Sequence, residues 1–559
     1  MSIAGTSFPE IFELLLKERG LDHSSQDHFL NPDYARLHDP LLLPDIKKAR
    51  DRVIEAIKSN EHIVVFSDYD ADGIPGAVVL SDFFKRIKYG NISFYIPHRH
   101  DEGYGLNTEA IEECALRGAK LIVTIDCGIS DAEEIALANE KGIDVIITDH
   151  HEPPETLPKA FAIVNPKRAD SLYPFKGICG SATAFKLVQA VLTKESFGVK
   201  AGMEKWSLDM VGIATLSDLV PLIDENRILA RFGLEVLRKS PRAGLASLFK
   251  KLNLDPRTLS EDDVAFMITP RINAASRMGR PEDAFKLLST DNQVEAEKLT
   301  EHLERINNER KGMVASIVKA AKSELSKRES LPEVIVIGNP EWRPALAGLV
   351  ANSLVEEYLR PVFVWGRDGD NMLKGSCRSY NGYDLFQLME GAKESFTEFG
   401  GHAGAGGFSV TLEQLTTLEE KLSSALAKLT SPTPSAFGAS PLIRGRLVGV
   451  ERALHVSLAD IGENLWQTVS QFAPFGTGNE KPIFKISNAP IKNIRQFGKE
   501  NNHLELSLSN GIKAISFFSS PESYFLNPKS TQCTLHAHLE KSYFRNRPEL
   551  RLRIVNIEP

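Results

Sequence analysis

The chain has 559 residues, 42% of them apolar and 25% charged, with a formal net charge of −8. That length exceeds one hydrophobic core and predicts about three to four domains, while the ordinary globular composition excludes extensive disorder. No run of about 18 apolar residues offers a membrane span, and the amino-terminal stretch MSIAGTSFPEIFELLLKERG has acidic residues inside its apolar part, which argues against a signal peptide.

Residues 1–60 read as an N-terminal helical segment. From residue 61, short apolar runs alternate with amphipathic stretches. HIVVF (62–66), ISFYI (92–96), LIVTI (121–125), DVIIT (144–148) and FAIVN (161–165) read as buried strands, with helices around 75–88, 108–117, 131–141 and 182–193. This alternation predicts an α/β fold, a doubly wound parallel sheet over 61–224. LDMVGIATLSDLV (208–220) adds an apolar helix. Residues 225–330 read as a helical connector that ends in the long charged stretch 294–325. Alternation resumes at EVIVIG (333–338) and predicts a second α/β domain over 331–430. TSPTPSAFGASP (430–441) is a linker by its Pro, Ser and Gly content. Residues 441–559 lean toward strands and predict a small β-barrel. They carry 15 Lys and Arg against 10 Asp and Glu, so a locally basic tail follows an acidic body. Five scattered cysteines without a CxxC pattern predict reduced thiols and a cytoplasmic setting.

Chemistry gathers at the strand ends. HIVVF runs into Ser67-Asp68-Tyr69-Asp70-Ala71-Asp72-Gly73, LIVTI into Asp126-Cys127-Gly128, and DVIIT into Asp149-His150-His151. Open α/β sheets build their sites at the carboxyl ends of strands. Asp218, in TLSDLVPL, follows an apolar helix. Alone, each motif has a plainer explanation: Asp126 as a helix cap or turn former, the two histidines as a buried hydrogen-bonded pair, DYDADG as a calcium loop of the DxDxDG kind. The calcium loop fails, because a strand precedes it and Val79 stands where an EF-hand needs Glu. Together, so many carboxylates require cations to offset their repulsion. Oxygen and nitrogen donors without thiolate suit Mn²⁺ or Mg²⁺, in a cluster of two ions.

DYDADG (68–73), the Asp126-Cys127-Gly128 turn, DHH (149–151) and SDLVPL (217–222) together resemble the four motifs of the DHH phosphoesterase superfamily. GGHAGAGGF (400–408) resembles the glycine-rich signature of the DHH-associated domain. PHRHDEGYGL (97–106), PRINAASRMGR (270–280), KGSCRS (374–379) and PFGTGNEKPIF (474–484) narrow the resemblance to the RecJ family of single-strand-specific exonucleases, over nearly the whole chain. Phe66-Ser67 and Pro75 depart from the usual pattern without removing a ligand.

The resemblance implies Asp68, Asp70, Asp126, His150 and Asp218 as ligands of two Mn²⁺ or Mg²⁺ ions, with Asp126 bridging them. It places His151 beside the scissile phosphate and Arg277 near the scissile group. Asp72 and Asp149 stand between ligation and a supporting or capping role. Arg99, Ser376 and Arg378 would seat a 5′-terminal phosphate, Gly401 and His402 would approach the strand, and an OB-like barrel would end the chain. The implied activity is 5′→3′ degradation of single-stranded DNA to 5′-mononucleotides in DNA repair and recombination, by a monomer whose partners include a RecQ-type helicase and a single-strand DNA-binding protein. Competing readings are a nanoRNase-like oligoribonuclease or phosphoadenosine-phosphate phosphatase, and a non-catalytic replication or repair scaffold. The presence of every motif residue argues against the scaffold. Single-strand preference has two sources in this reading. One is base stacking on barrel aromatics such as Phe517, Phe518, Tyr543 and Phe544, and the other is a narrow channel between the α/β domains.

Overall fold

The computed structural model describes residues 8–367, 373–429, 453–498, 501–517, 519, 521, 531–543 and 548–558. The linker reading over 430–441 and the aromatics Phe518 and Phe544 lie outside these residues. Among the described residues no helix is long and apolar enough to cross a membrane.

Five strands form the first sheet: β1 (His62–Ser67), β2 (Ile92–Tyr95), β3 (Ala119–Ile125), β4 (Asp144–Thr148) and β5 (Ala162–Val164). Their order is β2-β1-β3-β4-β5 and every pairing is parallel. β1, β3 and β4 are buried along nearly their whole length, as their apolar runs require when helices cover both faces. Helices Ile46–Lys58, Gly73–Arg86 and Gly180–Lys194 share one core with the sheet, and helices Thr108–Leu116 and Ala132–Glu140 another. The strand order reverses between β1 and β3, which opens a crevice at their carboxyl ends. Both departures from the superfamily pattern are accommodated here. Phe66 is buried and stacks on Tyr95 with centroids 5.1 Å apart. Pro75 lies in the first turn of helix Gly73–Arg86, where a missing N–H costs no helical bond.

Helix Leu208–Ser217 lies against helix Asp224–Leu237 at glycine contact: a Cβ on Gly212 would come 2.6 Å from Gly233 Cα. The helices that follow, down to Ile306, share the first sheet's larger core. The 33-residue helix Gln293–Leu325, about 50 Å long at 1.5 Å per residue, then crosses to a different core through Ile317, Ala321 and Leu325. It is a physical connector between the two α/β units.

The second sheet holds β6 (Ile335–Gly338), β7 (Val362–Arg367), β8 (Leu373–Arg378), β9 (Glu398–His402) and β10 (Ala405–Val410) in the order β6-β7-β8-β10-β9. Only β6 and β7 are parallel. GGHAGAGGF therefore forms the β9–β10 hairpin. In the C-terminal part, β11 (Leu454–His455) precedes β12 (Phe484–Phe497), β13 (His503–Leu508), β14 (Lys513–Phe517), β15 (Gln532–Ser542) and β16 (Glu549–Glu558). β12 pairs with β15 through its first half and with β13 through its second, which closes a five-stranded barrel and leaves those strands without a free edge. Helix Phe8–Glu18 buries Ile11, Leu15 and Leu16 in the barrel-side core with Leu465 and Phe472. Residues 8–60 are thus shared between the barrel and the first sheet.

Candidate active site

Asp68 and Asp70 leave the end of β1, Asp126 the end of β3, and His150 and His151 the end of β4, so they meet at the crevice where strand order reverses. The turn geometry forces this convergence. Asp68 N–H donates to Ile125 O (3.0 Å), Asp126 N–H to Thr148 O (2.9 Å) and Asp149 N–H to Val164 O (3.1 Å), so each motif begins on the last rung of its strand. Asp126 turns away in the left-handed region (φ 62°). Gly73 has to be glycine, since a Cβ there would lie 2.3 Å from Asp68 O. Asp218 arrives from the C-terminal end of helix Leu208–Ser217.

Three sets of donor atoms lie within 4.8 Å of one another: Asp126, His150 and His151; Asp72, His150 and Asp218; and Asp68, Asp70 and Asp126. His150 Nε2 is 3.0 Å from Asp126 Oδ1, 3.6 Å from Asp218 Oδ2 and 3.7 Å from Asp72 Oδ2. Burial and mutual repulsion push Asp68, Asp126 and Asp218 well above the ordinary carboxylate range. Burial brings His150 down to about 4, leaving the neutral imidazole that ligates metals. Asp68 Oδ1 and Asp126 Oδ1 are buried without a hydrogen-bond partner. Orphaned carboxylate oxygens facing like charges fit divalent cations.

Asp72 and Asp149 do something more specific. Asp72 accepts from the N–H groups of Gly180 (2.6 Å) and Ser181 (2.7 Å), so it caps a helix that starts 108 positions later, with one oxygen still facing His150. Asp149 Oδ1 accepts from His150 N–H (2.7 Å), His151 N–H (3.1 Å) and His151 Nδ1 (2.8 Å), and Oδ2 from Ile129 N–H (3.1 Å). Burial alone would raise Asp149, but the His151 hydrogen bond and the two imidazoles outweigh it and bring it to about 2. In return Asp149 raises His151 against the opposing effect of burial. The bond also fixes the ring, leaving Nε2 as the atom free of Asp149.

The cluster opens into a cleft of about 240 Å³ lined by Asp68, Tyr69, Asp70, Arg99, Tyr104, Asp126, His151, Asp218 and Arg277. Arg99 sits over the Tyr69 ring, 4.8 Å from its centroid. Arg277 Nη1 donates to Ala345 O (2.8 Å), reaching from the helical region to the second α/β unit. Burial and the charges of Arg99, Arg378 and Arg310 lower Arg277 to about 9. Arg378 feels Arg99 likewise.

The sequence matches the DHH family, N-terminal domain over residues 62–215, the DHHA1 domain over 331–428 and the RecJ OB domain over 453–556. It is 32% identical over 459 residues to the single-stranded-DNA-specific exonuclease RecJ of Salmonella typhimurium, across 79% of this chain and 78% of that one. The chain belongs to the RecJ family. It is also 35% identical over 506 residues to RecJ of Bacillus subtilis, across 90% of this chain, and spans 62% of that relative's length. Its fold is similar to RecJ from Thermus thermophilus in complex with Mn²⁺, with a TM-score of 0.77 at 25% identity over 98% of this chain and 76% of that one. A second structure, exonuclease RecJ bound to manganese, gives a TM-score of 0.60 at 31% identity over 70% of this chain and 96% of that one.

In this RecJ-family chain the arginines named from the motifs come from separate elements. Arg99 follows β2, Arg277 ends helix Thr269–Met278, and Arg378 ends β8. Among the described residues none of the three forms an ion pair, so their charge is left for an anion. Ser376 and Arg378 are two apart on β8 and share one face, opposite buried Cys377. Arg378 Nη1 donates to Cys377 O (2.8 Å), and a Cβ on Gly348 would lie 2.7 Å from its Nη2. Gly401 has φ 139° and its Cβ position is filled by Ala405 O at 2.4 Å. His402, next to it, is lowered by burial and by the charges of His151 and Lys167.

Several residues escaped the motif reading. Tyr104 donates to Asp126 O (2.9 Å) and lies 3.2 Å from His151 Nδ1. Asn273 Oδ1 accepts from Ala71 N–H (2.9 Å) and ties the INAASR helix to the DYDADG turn. Arg310, on the connector helix, adds a fourth charge beside Arg277. Tyr104 and Asn273 fall inside segments already singled out, so a closer reading had a signal; Arg310 had none.

Proposed function

We propose that the protein is a metal-dependent exonuclease that degrades single-stranded DNA 5′→3′, releasing 5′-mononucleotides with two Mn²⁺ or Mg²⁺ ions. The observation that carries this reading is the cleft itself, whose lining combines Asp68 and Asp126, each with a buried orphaned oxygen, with Arg99 and Arg277, which form no ion pair among the described residues. Asp68, Asp70, Asp126, His150 and Asp218 would hold the ions, which when bound supply charge neutralisation and activated water for phosphodiester hydrolysis. Asp72 supports them by anchoring helix Gly180–Lys194. His151, oriented by Asp149, presents Nε2 to the scissile phosphate and carries a proton there. Arg277 and Arg99 offset the charge that grows on the phosphate oxygens. Ser376 and Arg378 seat the 5′-phosphate as a charge-assisted pair of donors, with Gly401 and His402 alongside. A seat at fixed distance from the cluster accounts for removal of one nucleotide at a time.

The names of the relatives support the single-strand substrate, and the barrel supports a polymer. Family membership supports extending the proposal to a repair and recombination role, a cytoplasmic setting and partnership with a RecQ-type helicase or a single-strand DNA-binding protein. The deciding experiment digests 5′- and 3′-labelled single strands and blunt duplexes with Mn²⁺ or Mg²⁺. Mononucleotide released from the 5′ end of single strands is expected. Release from the 3′ end only, equal attack on the duplex, or full activity of Asp126→Ala overturns the reading. Preference for short RNA over DNA would favour the oligoribonuclease instead.

A further inference from the structure

Asp218 is followed by a strained segment. Two non-glycine residues within six adopt left-handed backbone, Leu219 (φ 60°) and Asp224 (φ 48°). Such conformations persist where the surroundings over-determine them. Here part of the surroundings belongs to the C-terminal barrel. Leu222 N–H donates to Thr477 O (2.7 Å). A Cβ on Gly476 would lie 2.7 Å from Leu222 Cδ1, and one on Gly478 (φ 75°) would lie 3.3 Å from Pro221 Cβ. From the other side, Asn226 Nδ2 donates to Pro221 O (3.0 Å) and Gly177 O (2.6 Å). Arg227, next in the chain, is buried and forms no ion pair among the described residues. Its guanidinium instead donates to four carbonyls: Phe29 (2.7 Å), Phe472 (3.0 Å), Ala473 (3.1 Å) and Pro474 (3.4 Å). Three of them belong to the loop that carries Thr477.

We propose that the barrel loop 472–480 positions Asp218. Docking of the barrel then sets the geometry of the metal cluster, in addition to any contact the barrel makes with a DNA strand. The loop grips the backbone four residues beyond Asp218, and Arg227 acts through the loop as a positioning residue. A barrel serving only to hold nucleic acid would have no need to reach the SDLVPL segment with a backbone hydrogen bond, two close-packed glycines and a buried arginine. The inference rests on the assignment of Asp218 to the cluster.

The test uses the full chain with Arg227→Lys, which keeps the charge but loses the forked donors, and Gly478→Ala, a milder change at the packed glycine. Circular dichroism establishes equal folded fractions. Mn²⁺ binding is followed by the electron paramagnetic resonance of the free ion, and turnover on a 5′-phosphorylated dinucleotide, which leaves one nucleotide beyond the cluster. Weakening of Mn²⁺ binding by about tenfold or more is expected, with a similar fall in kcat, as for supports behind metal ligands. The dinucleotide KM should move by less than about twofold, because its contacts are untouched. Unchanged Mn²⁺ affinity and unchanged dinucleotide kcat in both variants, with losses confined to long strands, would overturn the proposal. The exonuclease reading is judged separately, from wild-type protein on long labelled strands, and the Mn²⁺ titration decides the positioning claim whichever way that falls.

Discussion

Gly180 opens helix Gly180–Lys194 directly against Asp126, and Gly180→Ala puts a methyl group where there is no room. The new Cβ would lie 2.6 Å from Asp126 Cβ, 2.8 Å from Oδ1 and 2.9 Å from Cα. Carbon atoms settle about 3.5–4.0 Å apart, so something must move by about 1 Å. Asp126 is pinned by its N–H to Thr148 O and by the Tyr104 hydroxyl on its carbonyl. The helix is pinned by the Asp72 carboxylate on the N–H groups of Gly180 and Ser181. Overpacking costs about 1–3 kcal/mol, and removing a helical glycine returns at most about 1 kcal/mol. The balance is a loss of about 1–2 kcal/mol in urea denaturation. Activity suffers more, because a displacement of about 1 Å at a reacting centre is worth about 100-fold in rate. Mononucleotide release should therefore fall by that factor while most of the protein stays folded. Gly90→Ala, with nothing within 4 Å of its Cβ position, should change neither quantity. Wild-type rate and stability in Gly180→Ala would refute the packing argument.

Asp68, Asp126 and Asp218 are all raised by burial and by nearby carboxylates, so at these three groups the folded protein without metal holds more protons than the unfolded chain. Their contribution to stability should fall as pH rises from about 4 toward neutrality, read as the difference in pH dependence between wild type and Asp126→Asn. With chelator at pH 7, Asp126→Asn should melt higher than wild type while losing activity; a lower melting point counts against the repulsion. Mn²⁺ at about 100 times its dissociation constant should add about 2.7 kcal/mol per site, and a melting temperature indifferent to Mn²⁺ would rule out binding. Asp149 lies at about 2, below an unfolded value near 4, so its contribution of about 2–3 kcal/mol is present above pH ~4 and lost as pH falls toward 2. Asp149→Asn should show that deficit at pH 7 and a smaller one at pH 3; equal deficits would refute the linkage. Arg378→Ala removes a charge-assisted hydrogen bond worth about 1.5–3 kcal/mol, so KM for 5′-phosphorylated strands should rise roughly 10–150-fold. Strands with a 5′-hydroxyl should be unaffected, and equal changes on both would move the phosphate seat elsewhere.

The carboxylates and histidines of the first sheet were readable because each follows an apolar run without interruption. A buried parallel strand shows itself as such a run, and its end is where the side chains enter the crevice. Closure of the barrel was readable in class, from strands and turns, but β12 proved to be one 14-residue strand serving two neighbours. What could not be read is long-range pairing. Asp72 finds Gly180, Ile11 and Leu15 find Phe472, and Thr477 finds Leu222 across separations that no local pattern encodes. The second sheet shows the same limit. Strand–helix alternation predicted its α/β class, while the antiparallel β7–β8 and β9–β10 pairings depend on which edges meet.

The left-handed turn at Asp126 also bears on how such a site can be lost. Backbone of this kind is tolerated by short polar side chains, Asp and Asn, and resisted by longer ones. The turn therefore screens residue identity before any chemistry is asked of it. Glutamate keeps the charge at a cost in backbone energy; asparagine satisfies the backbone and forfeits the charge. A chain drifting away from catalysis would find its easiest exit through asparagine, with the fold intact, the buried repulsion relieved and the cluster silent. Outward shape in a descendant would then say little about activity, and the residue at this one turn would say most of it.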